Sequence, residues 1–245
     1  MKEVCCFFFM LKFNLLIFGD TGWGDEMLFS CIMTILVSLS AMGLGVFIAI
    51  FTAWAKISGN IVLKIIANFY TTVIRGVPEL LVIYLIFFGS SAGIMYISKI
   101  FGYHGYIELH AFTMGTISVG IISAAYSTEV FRGAYNIIDK GQIEAARALG
   151  LSKINTFIKI LGPQILKHAL PGLGNVWQIT LKDTALISVT GLVEIMRQSR
   201  IAANVTHSPL TFYLTAAVLY LILTTFSSKA FNKLEDYSNK NQVKA

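Results

Sequence analysis

The chain has 245 residues, 56% of them hydrophobic and only 13% charged, with a net charge of +6. That balance excludes an ordinary soluble domain and predicts an all-α, polytopic membrane protein with no length left for a second globular domain. The basic excess lies in short segments beside hydrophobic spans, so it reads as membrane topology and not as a nucleic-acid surface.

Residues 5 to 18 are apolar but interrupted by Lys12 and Asn14, too short for a comfortable span, so residues 1–26 read as an N-terminal extension, outside or interfacial. Cys5, Cys6 and Cys31 have neither C-x-x-C nor metal-ligand spacing and imply no disulfide framework and no metal site. From Met27 to Ala55 no charge appears. That is about 43 Å of helix, the first secure span. Within it Ala41 and Gly45 have the small-xxx-small spacing of a close helix contact.

Lys56 and Lys64 bracket a connector, and Arg75-Gly76-Val77-Pro78-Glu79 then interrupts an apolar stretch that continues to Ser98. Proline removes a donor and restricts Val77, which predicts a kink or helix break. Arg75 and Glu79 stand four residues apart and pair if the helix survives; they are either a local ion pair or substrate contacts. Gly102 to His110 reads as an external loop, in which His104 and His110 are a weak metal signal. Ala111 to Tyr126 forms a third span, and Glu129 and Arg132 beyond it read as a structural pair at its cytoplasmic end.

The stretch Gly141–Pro163, GQIEAARALGLSKINTFIKILGP, is a soluble helix signature between membrane segments. Asp139 and Glu144 place negative charge toward a helix start, Ala145, Ala146, Ala148 and Leu149 are strong helix formers, and Gly150 takes the C-cap position. A helix of about two turns is not stable alone, so it must rest on something. Its alanines admit a close partner surface, with Glu144 and Arg147 as orienting polar groups. Ile154, Phe157, Ile158, Leu161 and Ile165 then recur at helical spacing, an amphipathic helix that Ala169-Leu170-Pro171-Gly172 is expected to break.

Leu173 to Leu192 is long enough to span yet carries Asn175, Gln178, Thr180, Lys182 and Asp183. An ionisable group at such depth costs at least about 2.5 kcal/mol unless paired or hydrated, so this helix is the candidate pathway wall. Lys182 aligns with Gln178 and Asn175, and Asp183 with Thr180. Glu194 and Arg197 have pairing spacing in a polar external segment. Pro209 opens the last span, to about Phe226, and the basic tail that follows, 238–245 at its end, indicates a cytoplasmic C-terminus. About five spans with the N-terminus outside satisfy every placement.

Glu144, Ala145, Ala146 and Gly150, followed by Ile160 and Pro163, resemble the EAA motif of membrane subunits of ATP-binding-cassette (ABC) importers, with Gly162 standing where that pattern has Leu. R-G-V-P-E-L, S-T-E-V-F-R-G-A and N-V-W-Q-I-T-L-K-D-T-A-L-I-S-V resemble patches of the polar amino-acid permeases, the histidine/lysine/arginine/ornithine, glutamine and opine branch. The resemblance implies the type I permease fold over 27–237, in a bacterial inner membrane. It implies no cofactor and no catalysis on this chain, ATP and Mg on two separate ATP-binding subunits, a second permease subunit and an external solute-binding protein. It also implies ATPase coupling through Gly141, Glu144, Ala145, Ala146, Arg147 and Gly150, and a pathway lined by Asp183, Thr180, Lys182, Gln178, Arg75 and Glu79. There Asp183 is either a counter-charge for a cationic substrate or the cap of a broken half-helix. The chain has no G-x-x-x-x-G-K-[ST] to cradle ATP phosphates. An ion-driven secondary transporter is the other class, without visible inverted repeats; an intramembrane enzyme finds no H-E-x-x-H.

Overall fold

The computed structural model describes residues 12–19, 22–102 and 110–240, and the secondary structure in them is all helical. The fold is built on α1 (Gly24–Ile57), against which α4 (Ala111–Ile137) runs parallel. Ala41 and Gly45 make the contact their spacing predicts. A Cβ added to Gly45 would stand 2.8 Å from Ser123 Oγ, and one on Gly120 would stand 3.3 Å from the Ala41 carbonyl oxygen. With side chains this small, dispersion between the two backbones replaces the hydrophobic drive that lipid does not supply. The contact continues as Ala49 and Ala53 pack with Phe131 and Ala134.

α2 (Ile61–Gly76) begins where Asn60 accepts the Val62 and Leu63 amides, and α3 (Glu79–Ile100) follows a true break. Val77 has extended backbone angles, φ −101° and ψ 142°, as a residue before proline prefers. α3 then lays Val82 and Ile83 into a core with Val37 of α1 and Val119 and Ile122 of α4. α4 does not end near Tyr126, where the third span was expected to; it continues unbroken to Ile137.

The short helix α5 (Lys140–Ala148) is followed by a helical turn, Lys153–Thr156, a π-helical turn, Phe157–Leu161, and α6 (Gly162–Asp183). The expected break at residues 169–172 is absent, because α6 passes straight through Pro171. Ala169 and Leu173 on either side of it are buried against α1 and α4, so packing outweighs the one lost hydrogen bond. Nor is 173–192 a single span: α6 stops at Asp183, and a 3-10 segment, Thr184–Thr190, leads to a turn at Gly191 with φ 104°. The departure from the EAA pattern also has a place. Gly162 donates to the Phe157 carbonyl at the close of the π turn, and a Cβ there would stand 3.1 Å from that oxygen.

α7 (Ile195–Thr206) and α8 (Pro209–Lys240) complete the bundle. Pro209 opens the last helix as its sequence predicts. Glu194 and Arg197 do not form the expected exposed pair. Glu194 is wholly buried and caps α7 by accepting the Met196 and Arg197 amides and the Tyr220 hydroxyl, while Arg197 Nη1 donates to the Ser188 carbonyl. At the same end Leu15, Leu16 and Trp23 rest on Met27, Ala202, Ala203 and Phe212, which ties the N-terminal extension to α7 and α8.

Among the described residues Gly24–Ile57, Glu79–Ile100 and Pro209–Ser238 are long and apolar enough to cross a membrane. α4 and α6, of 27 and 22 residues, are as long but more polar, because they lie inside the bundle. Several of their hydroxyls find partners there: Ser118 and Thr128 each donate to the carbonyl one turn back, and Thr180 donates to Ser123 at 3.2 Å. α6 is antiparallel to α4, since Gly172 meets Val130 and Thr180 meets Ser123, and α8 is antiparallel to α6, since Gln178 meets Ser228 and Gly174 meets Phe231. His104 and Glu108 of the loop before α4, and Cys5 and Cys6, lie outside the described residues; Cys31 is buried and unpaired.

Candidate functional site

α5 is nine residues long, capped at both ends and almost unpartnered along its side. Asp139 accepts the Gly141 amide at 2.8 Å, which stabilises the start by about 1 kcal/mol. Glu144 lies beyond the first turn, so its charge is not the cap. At the other end the Leu151 amide donates to the Ala146 carbonyl and the Gly150 amide to that of Arg147, a Schellman motif whose left-handed residue is Gly150 at φ 75°. Gln142 accepts from Gln164 at 2.7 Å, fastening α5 to the first turn of α6. Only Ala146 is buried; Gly141, Glu144, Ala145, Arg147, Leu149 and Gly150 all face outward. The helix is thus fastened beyond the end of α4, with its small and charged side chains exposed.

The second constellation surrounds Tyr126, in the middle of the bundle. Arg75 and Glu79 are not paired through one helix, because the helix ends between them. Both instead meet Tyr126: its hydroxyl donates to Glu79 Oε1 at 3.0 Å, and the Arg75 guanidinium lies 5.4 Å from its ring centre. Asp183, at the last residue of α6, is 7% exposed, and its Oδ2 has no hydrogen-bond partner among the described residues. Glu79 of α3 lies within interaction range of it, and Lys182 precedes it on α6. Two carboxyls, one with an unused buried oxygen, thus approach the same tyrosine, while the Arg75 guanidinium lies over its ring.

Of the other expected pathway residues, Thr180 lies on the Asp183 side, bonded to Ser123. Gln178 does not join them; it turns to α8 and donates to Ser228 and the Thr224 carbonyl. Lys182 is exposed on a different face of α6, as the 100° step between neighbours requires. Below the cluster, toward α5, Glu129 and Arg132 pair as their spacing predicts, at 2.7 Å, and Glu129 also holds Lys56 of α1, which reaches Thr71 as well. Sequence reading missed Lys56 as the third member and Tyr126 as the hub. The signal for Tyr126 was a hydroxyl-bearing aromatic inside a span, where such a group needs a partner.

With these features placed, comparison with known proteins is decisive. Residues 44–236 match the family described as binding-protein-dependent transport system inner membrane component. The chain belongs to that family. As a permease of this family it is 47% identical to the octopine transport system permease protein of Rhizobium meliloti, over 89% of this chain and 92% of that one. It is 37% identical to the histidine/lysine/arginine/ornithine transport system permease protein of Escherichia coli K12, over 87% and 93%. Among solved structures, an amino acid ABC transporter with histidines superposes with a TM-score of 0.75 at 32% identity, covering 88% of this permease and 95% of that chain. The MetNI methionine transporter in an inward-facing form gives 0.65 at 16% identity, covering 87% and 94%, which speaks for the fold alone. The resemblance read from the EAA residues therefore holds, and the architecture is the type I permease fold.

Proposed function

We propose that this permease takes a cationic polar amino acid, or an opine built on one, through the membrane past the Tyr126 cluster, driven by ATP that two partner subunits hydrolyse. The observation that carries this reading is the buried Asp183 beside Glu79, with an unused carboxyl oxygen where a solute's guanidinium or ammonium group would complete the charge. Relatives whose names specify octopine and the basic amino acids support the same class.

In this reading residues 27–237 are the transmembrane unit and the chain performs no chemistry itself; ATP and Mg act on the partners. Gly141, Glu144, Ala145, Arg147 and Gly150 form the surface on which an ATP-binding subunit sits, and the buried Ala146 anchors the helix beneath it. Because α5 follows α4 directly, a displacement of α5 is passed to Tyr126. ATP binding shifts the conformational equilibrium only as far as the ATPase pair prefers one position of α5 over another. A second permease chain, the same or similar, closes the pathway, and an external binding protein delivers the solute. The α5 end of the bundle, with the end of α8, lies in the cytoplasm.

The test is reconstitution with the co-purifying partners in lipid vesicles. ATP-dependent uptake of a cationic amino acid or opine that falls at least tenfold in Asp183→Asn is the expected result. Uptake driven by an ion gradient without ATP would refute the proposal.

A further inference from the structure

Next to the Tyr126 cluster, at the junction of α1, α2 and α4, an open cleft of about 510 Å3 is lined by Lys56, Asn68, Thr72, Arg75, Glu129 and Arg132. Its charges are three cations against one carboxylate. Glu129 serves two of them, Lys56 and Arg132, and its own oxygens are occupied by those contacts. Lys56 is a built component, its side chain 5% exposed. Arg132 spends its Nε and Nη2 on Glu129 and is nearly half exposed, and Arg75 has no carboxylate partner among the described residues, only the face of Tyr126.

We propose that this cleft is a carboxylate-binding station on the solute's route, in which Arg75 and Arg132 receive the carboxylate of a molecule whose cationic group occupies the Asp183–Glu79 end. The inference rests on the cationic-solute reading above. Arg75 belongs to both places, lining the cleft while its guanidinium stacks on the ring whose hydroxyl holds Glu79. From Arg132 to Tyr126 along α4 is about 9 Å at the helical rise, comparable to the span between the two ends of an extended basic amino acid. A planar guanidinium matches a carboxylate with two parallel hydrogen bonds, and Asn68 and Thr72 add neutral donors beside it. The station would therefore select solutes carrying both a cation and a carboxylate over those with cations alone.

The test uses the purified permease–ATPase complex without its binding protein, so that selectivity is that of the membrane pathway. Calorimetric affinities are measured for arginine and for argininamide, which differ only in whether the carboxylate is ionised or amidated. The wild-type complex is expected to favour arginine about tenfold. Arg132→Gln and Arg75→Gln should each bring that ratio toward one by weakening arginine alone, and Arg132→Lys should restore part of it. Size-exclusion profiles exclude misfolding as the cause. Asp183→Asn should weaken both compounds together. A ratio near one in the wild type, or an unchanged ratio in both arginine variants, overturns the carboxylate station. Loss of bound phosphatidylglycerol in Arg132→Gln with the ratio unchanged also overturns it and assigns the cleft to a lipid headgroup. Failure of the underlying reading looks different: Asp183→Asn then leaves both affinities unaltered.

Discussion

The Tyr126 hydroxyl donates to Glu79 at 3.0 Å, across the helix break that Pro78 creates. That bond fastens the first turn of α3 to the middle of α4, the helix that also carries α5. A single aromatic residue thus connects the candidate substrate site to the helix that leads into α5.

Tyr126→Phe keeps the ring under Arg75 and removes only the donor to Glu79. A hydrogen bond to a charged group is worth about 1.5–3 kcal/mol, so the apparent KM for ATP-driven uptake should rise at least tenfold while the amount of assembled complex stays the same. Uptake kinetics in vesicles, with complex quantified by immunoblot, decide the matter; an unaltered KM would remove Tyr126 from the site.

Lys56, which is buried, and Glu129, which is partly exposed, form an ion pair between α1 and α4. Lys56→Met strips Glu129 of its interior partner and leaves it Arg132, so the loss should be below that of an isolated buried pair, about 2–3 kcal/mol. Thermal unfolding in detergent should show a lower Tm, with most of the loss recovered in Lys56→Met/Glu129→Leu. No recovery in the double variant would mean that Lys56 acts through Thr71 and not through Glu129.

Gly150 holds the left-handed end of α5 at φ 75°, where a β-branched side chain costs about 1–2 kcal/mol. Gly150→Val should fray the Schellman turn and reposition Arg147 and Leu149. ATP hydrolysis by the assembled complex should then lose its dependence on the binding protein, with uptake reduced at least tenfold. Hydrolysis and uptake measured on the same vesicles test this; normal coupling in Gly150→Val would refute docking through that turn.

Gly45 and Gly43 lie two residues apart on α1 but face different surroundings. A Cβ on Gly45 would meet Ser123 at 2.8 Å, whereas one on Gly43 would meet nothing within 4 Å. Gly45→Val should therefore cost about 1–3 kcal/mol by forcing α1 from α4. Gly43→Ala should be neutral or slightly stabilising, since alanine is the better helix former. Equal Tm values for the two variants would contradict the close approach of the helices.

Local signals were legible wherever one residue type has one dominant physical reason. Uncharged length marked α1, pre-proline geometry marked the break at Val77, small-residue spacing marked the α1–α4 contact, and the Asp139 and Gly150 caps bounded α5. Where local chemistry competes with packing, the sequence misled. Pro171 reads as a helix breaker, yet burial of Ala169 and Leu173 carries α6 through it. Glu194 and Arg197 read as an ion pair, yet Glu194 is drawn inward by two free amides and the Tyr220 hydroxyl.

By itself, then, the sequence determined that this is a membrane-spanning helical permease with a short capped helix at its EAA residues, because composition and those residues act over one helix at a time. Only the tertiary structure decided which polar groups share a space. Arg75, Glu79, Tyr126 and Asp183 come from four helices, and Lys56 meets Glu129 across 73 positions of chain. Such proximity depends on the register in which α1, α4 and α6 pack, which is set by small side chains at their contacts and carries no local mark on the charged residues it brings together.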